Sequence, residues 1–179
     1  MTSNKLGLVD FQLYLLKTMQ PPRTVLDPAL TRLNSTTEHM LASAESISKS
    51  IMPGKGGSAH ALKSILHNAL INETRGPESE TLLYRLPLWE EFAFRLELDN
   101  LPFMKRVEFV DYIEFNQKAA PWRLLEIHIS ERFDEVREID SWGTYNSYTV
   151  RDPETGNHLF LRFSWGLLQE VDTVADQSR

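Results

Sequence analysis

The chain has 179 residues, no cysteine and a formal net charge of −6, with 41% hydrophobic and 25% charged residues. This is the composition of an ordinary globular protein, and it excludes disulfides, thiol nucleophiles and cysteine-ligated metal centres. Residues 81–179 carry 11 Lys and Arg against 18 Asp and Glu, a net charge of −7. Nucleic-acid binding is therefore disfavoured, because phosphate contacts need clustered cations.

The spacing of apolar residues predicts a first helix over residues 6–19, which Pro21 and Pro22 end. This segment is too polar to serve as a signal-peptide core or a membrane span. A third helix is predicted over residues 58–73, after the glycine-rich residues 53–57. Those glycines favour a helix connector over a phosphate-binding loop, since the P-loop spacing and its preceding strand are missing.

Between these two helices, a long second helix is predicted from Asp27, as the N-cap, to about Ile51. Its apolar positions alternate three and four residues apart, which is a heptad pattern that includes Leu33 and Met40. Such a seam packs either on the chain's own helices or on a second subunit. In the second case, Leu33 and Met40 are candidate binding residues.

Residues 75–81 combine Gly, Pro and polar side chains and predict an internal boundary. Residues 88–99 are ambiguous. Pro87, two residues before Trp89, could begin a helix, yet the apolar residues from Phe92 to Leu98 alternate as in a strand. We favour the helix. From Arg106 onward the period is two, which predicts strands over residues 107–115 and 125–133.

The strongest strand signal is a C-terminal hairpin. Residues 152–157 are turn formers, and apolar residues alternate on both sides of them. Pairing Val150 with Leu159 places Tyr148 opposite Leu161, so that both strands present one apolar face.

Two carboxylates occupy positions in the predicted strands where apolar residues belong. Asp111 and Glu131 would lie diagonally across a hairpin, and both would face the interior. Buried carboxylates have raised pKa values and can act as general acids or bases, with His128 as a possible third member. The alternative is that each carboxylate lies at an edge or a bulge and pairs with an Arg.

Trp142 and Tyr145 flank a short turn after an acidic segment. Exposed Trp and Tyr are typical of protein interfaces, which makes both residues candidate binding residues. The alternative is that these aromatics pack at the corner of a twisted sheet.

Together the patterns predict an α+β fold with N-terminal helices packed on a C-terminal antiparallel β-sheet of about four strands. Residues 1–171 are predicted to form one domain, helical over 1–100 and β over 101–171, followed by a disordered tail over 172–179. No metal site, cofactor or membrane span is predicted, and the expected location is the cytoplasm.

The leading functional hypothesis is a non-catalytic interaction protein, an adaptor, inhibitor or chaperone-like subunit. It would bind another protein, or a second copy of itself as a homodimer, through the helical seam and an acidic sheet surface. The alternative is a small-molecule-binding domain or an enzyme, with Asp111 and Glu131 in a pocket between helices and sheet. No catalytic motif decides between them.

Overall fold

The computed structural model describes residues 6–51, 58–99, 104–112 and 119–174. Backbone contacts divide the chain into two compact units, Met1–Ile113 and Glu114–Arg179. Each unit contains helix and one four-stranded antiparallel sheet, so the fold class is α+β, as predicted. The prediction of a single C-terminal sheet is wrong, because the described residues form two sheets.

The first unit begins with helices. These are α1 (Leu8–Met19), α2 (Arg23–Arg32), α3 (Thr37–Ile51) and α4 (Ser58–Leu66). The first predicted helix is confirmed, but the continuous helix from Asp27 to Ile51 is wrong. Asn34 adopts a left-handed φ of 48°, and the Thr36 hydroxyl accepts a hydrogen bond from the His39 N–H at 3.1 Å. The break therefore has its own N-cap for α3.

Strands begin earlier in the chain than the sequence analysis predicted. The first sheet has the order β1-β2-β3-β4 and consists of β1 (Leu70–Arg75), β2 (Ser79–Arg85), β3 (Phe92–Asp99) and β4 (Met104–Asp111). The helical assignment of residues 1–100 is wrong, since three strands precede residue 100. The predicted boundary at 75–81 is the turn between β1 and β2 together with the start of β2.

The choice of helix for residues 88–99 was also wrong. Trp89 lies in a turn, where its N–H donates to the Leu86 carbonyl at 2.9 Å. The alternating residues of β3 are buried, namely Phe92, Phe94, Leu96 and Leu98. The period of two was thus the better guide than the proline before Trp89.

Aromatic packing joins α1 to the first sheet. The Phe11 ring meets Phe94 edge to face at a centroid distance of 5.3 Å, and Phe94 meets Phe109 in the same way, also at 5.3 Å. Beside them, the buried Gln12 Oε1 accepts a hydrogen bond from the Leu88 N–H at 2.8 Å. These contacts fix the helical layer on the apolar face of this sheet.

In the second unit, residues 126–132 are helical, and the strand predicted over residues 125–133 is wrong. A 3-10 turn (Glu126–His128) leads into α5 (Ile129–Arg132). A strand would bury Ile127 along with Leu125 and Ile129, but Ile127 is 55% exposed while its two neighbours are buried. The four-residue spacing from Leu125 to Ile129 is the helical signal.

The second sheet has the order β5-β6-β7-β8 and consists of β5 (Asp134–Trp142), β6 (Tyr145–Arg151), β7 (His158–Ser164) and β8 (Leu167–Thr173). The predicted hairpin register is confirmed: Val150 pairs with Leu159 and Tyr148 with Leu161. β8 reaches Thr173, so the predicted disordered tail overlaps a strand at residues 172–173, and residues 175–179 lie outside the described part.

This unit has its own hydrophobic core beneath its sheet. Leu161, Phe163 and Leu168 are fully buried, and Ile129 of α5 packs into the same cluster. Val150 and Leu159 complete it from the hairpin. The core explains why one face of β6 and β7 is apolar.

Candidate functional site

Of the predicted catalytic residues, Asp111 belongs to the first compact unit, whereas Glu131 and His128 belong to the second. Asp111 is exposed at the end of β4. Glu131 lies on α5 with 75% of its side chain exposed, and the His128 Nδ1 is 2.9 Å from the Glu131 Oε2. The prediction that Asp111 and Glu131 face the interior together is wrong, because the second strand of the proposed hairpin is a helical turn.

A metal site is not formed by these residues. Among the described residues, no group of three or more His, Asp or Glu side chains is placed to hold a metal ion. His128 and Glu131 form a pair between neighbouring helical positions on the surface, which is an ordinary local contact.

The helical seam lies inside the first unit. Met40 is 5% exposed, and Ala44 and Ile47, which follow it on the same face of α3, are also buried. Leu33 is half-buried at the C-terminal end of α2. Met40 is therefore used in the chain's own packing and does not offer a surface to a partner.

Trp142 and Tyr145, in contrast, lie at an exposed hairpin end. They pair with each other across a two-residue turn, in which Gly143 has a left-handed φ of 62°. The Trp142 side chain is 76% exposed, the largest exposure of any large apolar residue in the described ranges. We call the two strands and their turn, residues 134–151, the acidic hairpin.

Strand β5 is the open edge of this hairpin. All nine of its residues are exposed, and in the second sheet it pairs with β6 alone among the described strands. Its apolar side chains are accessible as well, with Ile139 at 53% and Val136 at 37%. A long edge strand with exposed apolar residues is a site where another chain can pair.

The same strand is strongly acidic. It carries four carboxylates and one cation, Arg137; the carboxylates are Asp134, Glu135, Glu138 and Asp140. Glu135 lies 3.8 Å from the Arg151 guanidinium. Within the described part of the chain, no Lys or Arg forms an ion pair with Glu138 or Asp140.

A hydrogen-bond network holds the hairpin end in place. The Glu126 Oε1 accepts hydrogen bonds from the Tyr148 hydroxyl at 2.6 Å and from the Asn146 Nδ2 at 2.8 Å. The Ser141 hydroxyl in turn donates to the Asn146 Oδ1 at 2.7 Å. The network thus links β5, β6 and the 3-10 turn beside Trp142.

Burial raises the pKa of the Tyr148 phenol. The hydrogen bond to Glu126 and the charges of Glu126 and Glu138 raise it further. Tyr148 therefore stays a neutral hydrogen-bond donor at physiological pH, which keeps the network intact.

A separate pocket of about 360 Å³ lies in the first unit, and its lining includes Lys63, Arg75, Glu80 and Asp99. Glu80 pairs with both cations: it accepts a short hydrogen bond from the Lys63 ammonium, and it lies 3.4 Å from the Arg75 Nε. Because these charges compensate one another, we interpret the pocket as the surroundings of a structural ion-pair cluster between α4 and the β1–β2 hairpin.

Comparison with known proteins returns no match to a protein family, to a curated protein or to a solved structure. No helix among the described residues is both long and apolar enough to cross a membrane.

Sequence reasoning missed the two most informative parts of the second unit. No strand is predicted for the acidic segment before Trp142, although it contains Val136 and Ile139, whose β-branched side chains favour a strand. Glu126 lies within residues 125–133, for which a strand is predicted. Its role as an acceptor of two hydrogen bonds depends on the 3-10 turn that the structure has there.

Proposed function

We propose that this protein is a non-catalytic protein-interaction protein, and that the acidic hairpin is its docking surface. One observation carries the proposal: β5 is a fully exposed edge strand whose apolar residues lie among carboxylates and end at Trp142, which is 76% exposed. An adaptor, an inhibitor or a chaperone-like subunit would bind its partner through an exposed surface of this kind.

The exposed aromatic residue supports this assignment. Trp side chains are enriched among the few residues that dominate interface energetics, where truncation typically costs about 2 kcal/mol or more. The Glu126 network fixes the strand beside Trp142 before any partner arrives. A fixed anchor loses less conformational entropy on binding than a mobile one.

The charge of the hairpin supports a particular kind of partner. A strand with four carboxylates and one Arg repels nucleic acid and anionic lipid, whereas it attracts a basic protein surface. The alternative is an enzyme or small-molecule site with Asp111 and Glu131 in one pocket; the exposure of both side chains favours the docking proposal over it.

Photo-crosslinking in cells that make the protein tests the proposal. A photoreactive residue replaces Ile139, and the crosslinked products are compared between the parent chain and a Trp142→Ala variant. We expect Trp142→Ala to remove the specific product, because the partner loses its apolar anchor. Leu41→Ala is the matched control, since Leu41 is 48% exposed on α3 of the first unit.

The specific crosslinked product should still form with the Leu41→Ala variant and should be absent with the Trp142→Ala variant. Crosslinked products of the same mass and yield with and without Trp142 would show that the acidic hairpin is not the docking surface.

A further inference from the structure

We infer that the partner docks as an extended basic segment that adds a strand to the free edge of β5. This inference rests on the proposed function and specifies both how the partner binds and what chemistry it carries. Three features of the acidic hairpin support this inference. They are the backbone edge of β5 that is unpaired among the described strands, the charge repulsion that disfavours pairing with a second copy of the chain, and the positions of the carboxylates.

The backbone edge has the length that strand addition needs. β5 has nine residues, whereas strands in globular proteins are usually about five or six residues long. On the side away from β6, its alternate N–H and C=O groups have no strand partner among the described residues. Main-chain hydrogen bonds from an added strand would satisfy these groups, which is the general basis of strand addition.

A second copy of the chain is a poor occupant of this edge. Pairing β5 with β5 of another molecule would bring four carboxylates on one strand against four on the other, with one Arg137 from each. Like charges directly opposite each other destabilise a strand pair. The β5–β6 pairing also has two register shifts, between Asp134 and Arg137 and between Glu138 and Asp140. Any added strand, from a partner or from a second copy, must match this bulged edge, so the charges are what separate the two occupants.

The carboxylates specify where the partner's cations must lie. Glu138 pairs with Tyr148, and Asp140 pairs with Ser147. Tyr148 and Ser147 are consecutive residues of β6, so their side chains lie on opposite faces of the sheet, and the two carboxylates do too. A partner strand with two consecutive basic residues would therefore place one cation near each carboxylate.

A peptide-binding measurement on the purified full chain tests this inference. The probe is a synthetic peptide with one Lys-Arg pair in a background of Thr and Val. Two matched peptides accompany it, one with alternate backbone amides N-methylated and one with Glu-Glu in place of Lys-Arg. Affinity is measured by fluorescence anisotropy, and amide exchange of the chain is followed by NMR.

We expect the basic peptide to protect amides of β5, and we expect N-methylation to weaken its binding by about tenfold or more, because the strand hydrogen bonds are lost. Replacing both Glu138 and Asp140 with Lys should weaken binding by about tenfold as well. Glu154→Lys is the matched charge control: it adds a cation at the exposed β6–β7 turn of the same sheet, and it should change the affinity much less.

The other outcomes overturn the inference in distinguishable ways. Equal affinity of the N-methylated peptide, or no binding of the basic peptide, excludes strand addition by a basic segment. If either peptide result is obtained while the crosslink still depends on Trp142, the acidic hairpin is still supported as the docking surface. Only strand addition, the proposed binding mode, is then wrong. If the chain alone forms a dimer that protects β5 amides, the occupant is a second copy.

Discussion

At the scale of single residues, Glu80 illustrates how a charge is stabilised in this fold. Its side chain is only 20% exposed, and its pKa is lowered from the ordinary value of 4.5. The largest cause is the hydrogen bond from Lys63, and the charges of Lys63 and Arg75 act in the same direction. Partial burial opposes them, so the ion pairs more than offset the desolvation of the carboxylate.

A lowered pKa has a defined consequence for stability. The ionised Glu80 stabilises the folded state above its unfolded-state pKa, and this contribution is lost as the pH falls through the folded-state pKa. We therefore expect Glu80→Gln to reduce the free energy of unfolding by about 1 kcal/mol at neutral pH. The difference from the parent chain should shrink as the pH is lowered below 4.5.

Urea unfolding at several pH values measures this difference. Glu45→Gln is the matched control, because Glu45 pairs with Lys49 on α3 while both side chains are about two-thirds exposed (68% and 69%). A loss for Glu80→Gln that is no larger than the control's, or that grows in acid, would contradict the ion-pair account.

At single residues the sequence left alternatives open that only the structure separates. For Trp142 these were an exposed turn and packing at a sheet corner, and the residue is exposed beside a turn that Gly143 permits. The pairing of Asp111 with Glu131 required two correct strands and a correct hairpin between them. One wrong period over residues 125–133 was enough to remove the site, and the exposed Ile127 is where the strand pattern fails.

At the scale of elements, the β6–β7 hairpin was predictable in full register. Its turn residues and two alternating faces specify the same pairing, so local and tertiary preferences agree. The neighbouring strand β5 was not predictable from burial patterns. None of its residues is buried, and its strand conformation comes from backbone pairing with β6, which leaves no alternation of apolar and polar residues.

The helical seam, too, was predictable from the sequence only in part. Its position Met40 on α3 is buried, as an internal seam requires. The break before α3 was missed because the heptad pattern continues across it. The polar run from Asn34 to Thr36 carried the contrary signal, since Asn tolerates a left-handed φ and Thr favours the N-cap.

Adjacent residues on α3 allow a sharp test of the seam. Met40 is 5% exposed and Leu41 is 48% exposed. We expect Met40→Ala to lower the free energy of unfolding by about 2–5 kcal/mol through the cavity it leaves. Leu41→Ala, on the neighbouring face of the same helix, should cost much less.

Mass measurement in solution accompanies the unfolding experiment. Both variants and the parent chain should have the same oligomeric state, because the seam packs within one molecule. A dimer that Met40→Ala dissociates would instead place the seam between two subunits.

At the scale of the whole molecule, the described residues form a hydrophobic core in each of the two compact units, whereas the sequence analysis predicted one domain. The first includes the Phe11, Phe94 and Phe109 rings. The second is centred on Leu161 and Phe163. Composition and length could not reveal this division, since 179 residues fit one domain, and the boundary falls near residue 113 within a segment predicted as strand.

Whether residues 1–171 unfold as a single domain stays a prediction, and the two cores provide the means to test it. Leu161 is fully buried, so Leu161→Ala should destabilise the second unit by about 2–5 kcal/mol. If residues 1–171 form a single domain, unfolding is cooperative: amides of β3 and β7 lose protection at the same denaturant concentration, and Leu161→Ala lowers that concentration for both strands. This is the outcome that the single-domain prediction requires. Ser147→Ala, a half-buried polar residue of β6, controls for mutation of the same sheet without a cavity. Early loss of β7 protection while β3 remains protected would make Met1–Ile113 and Glu114–Arg179 separate folding domains.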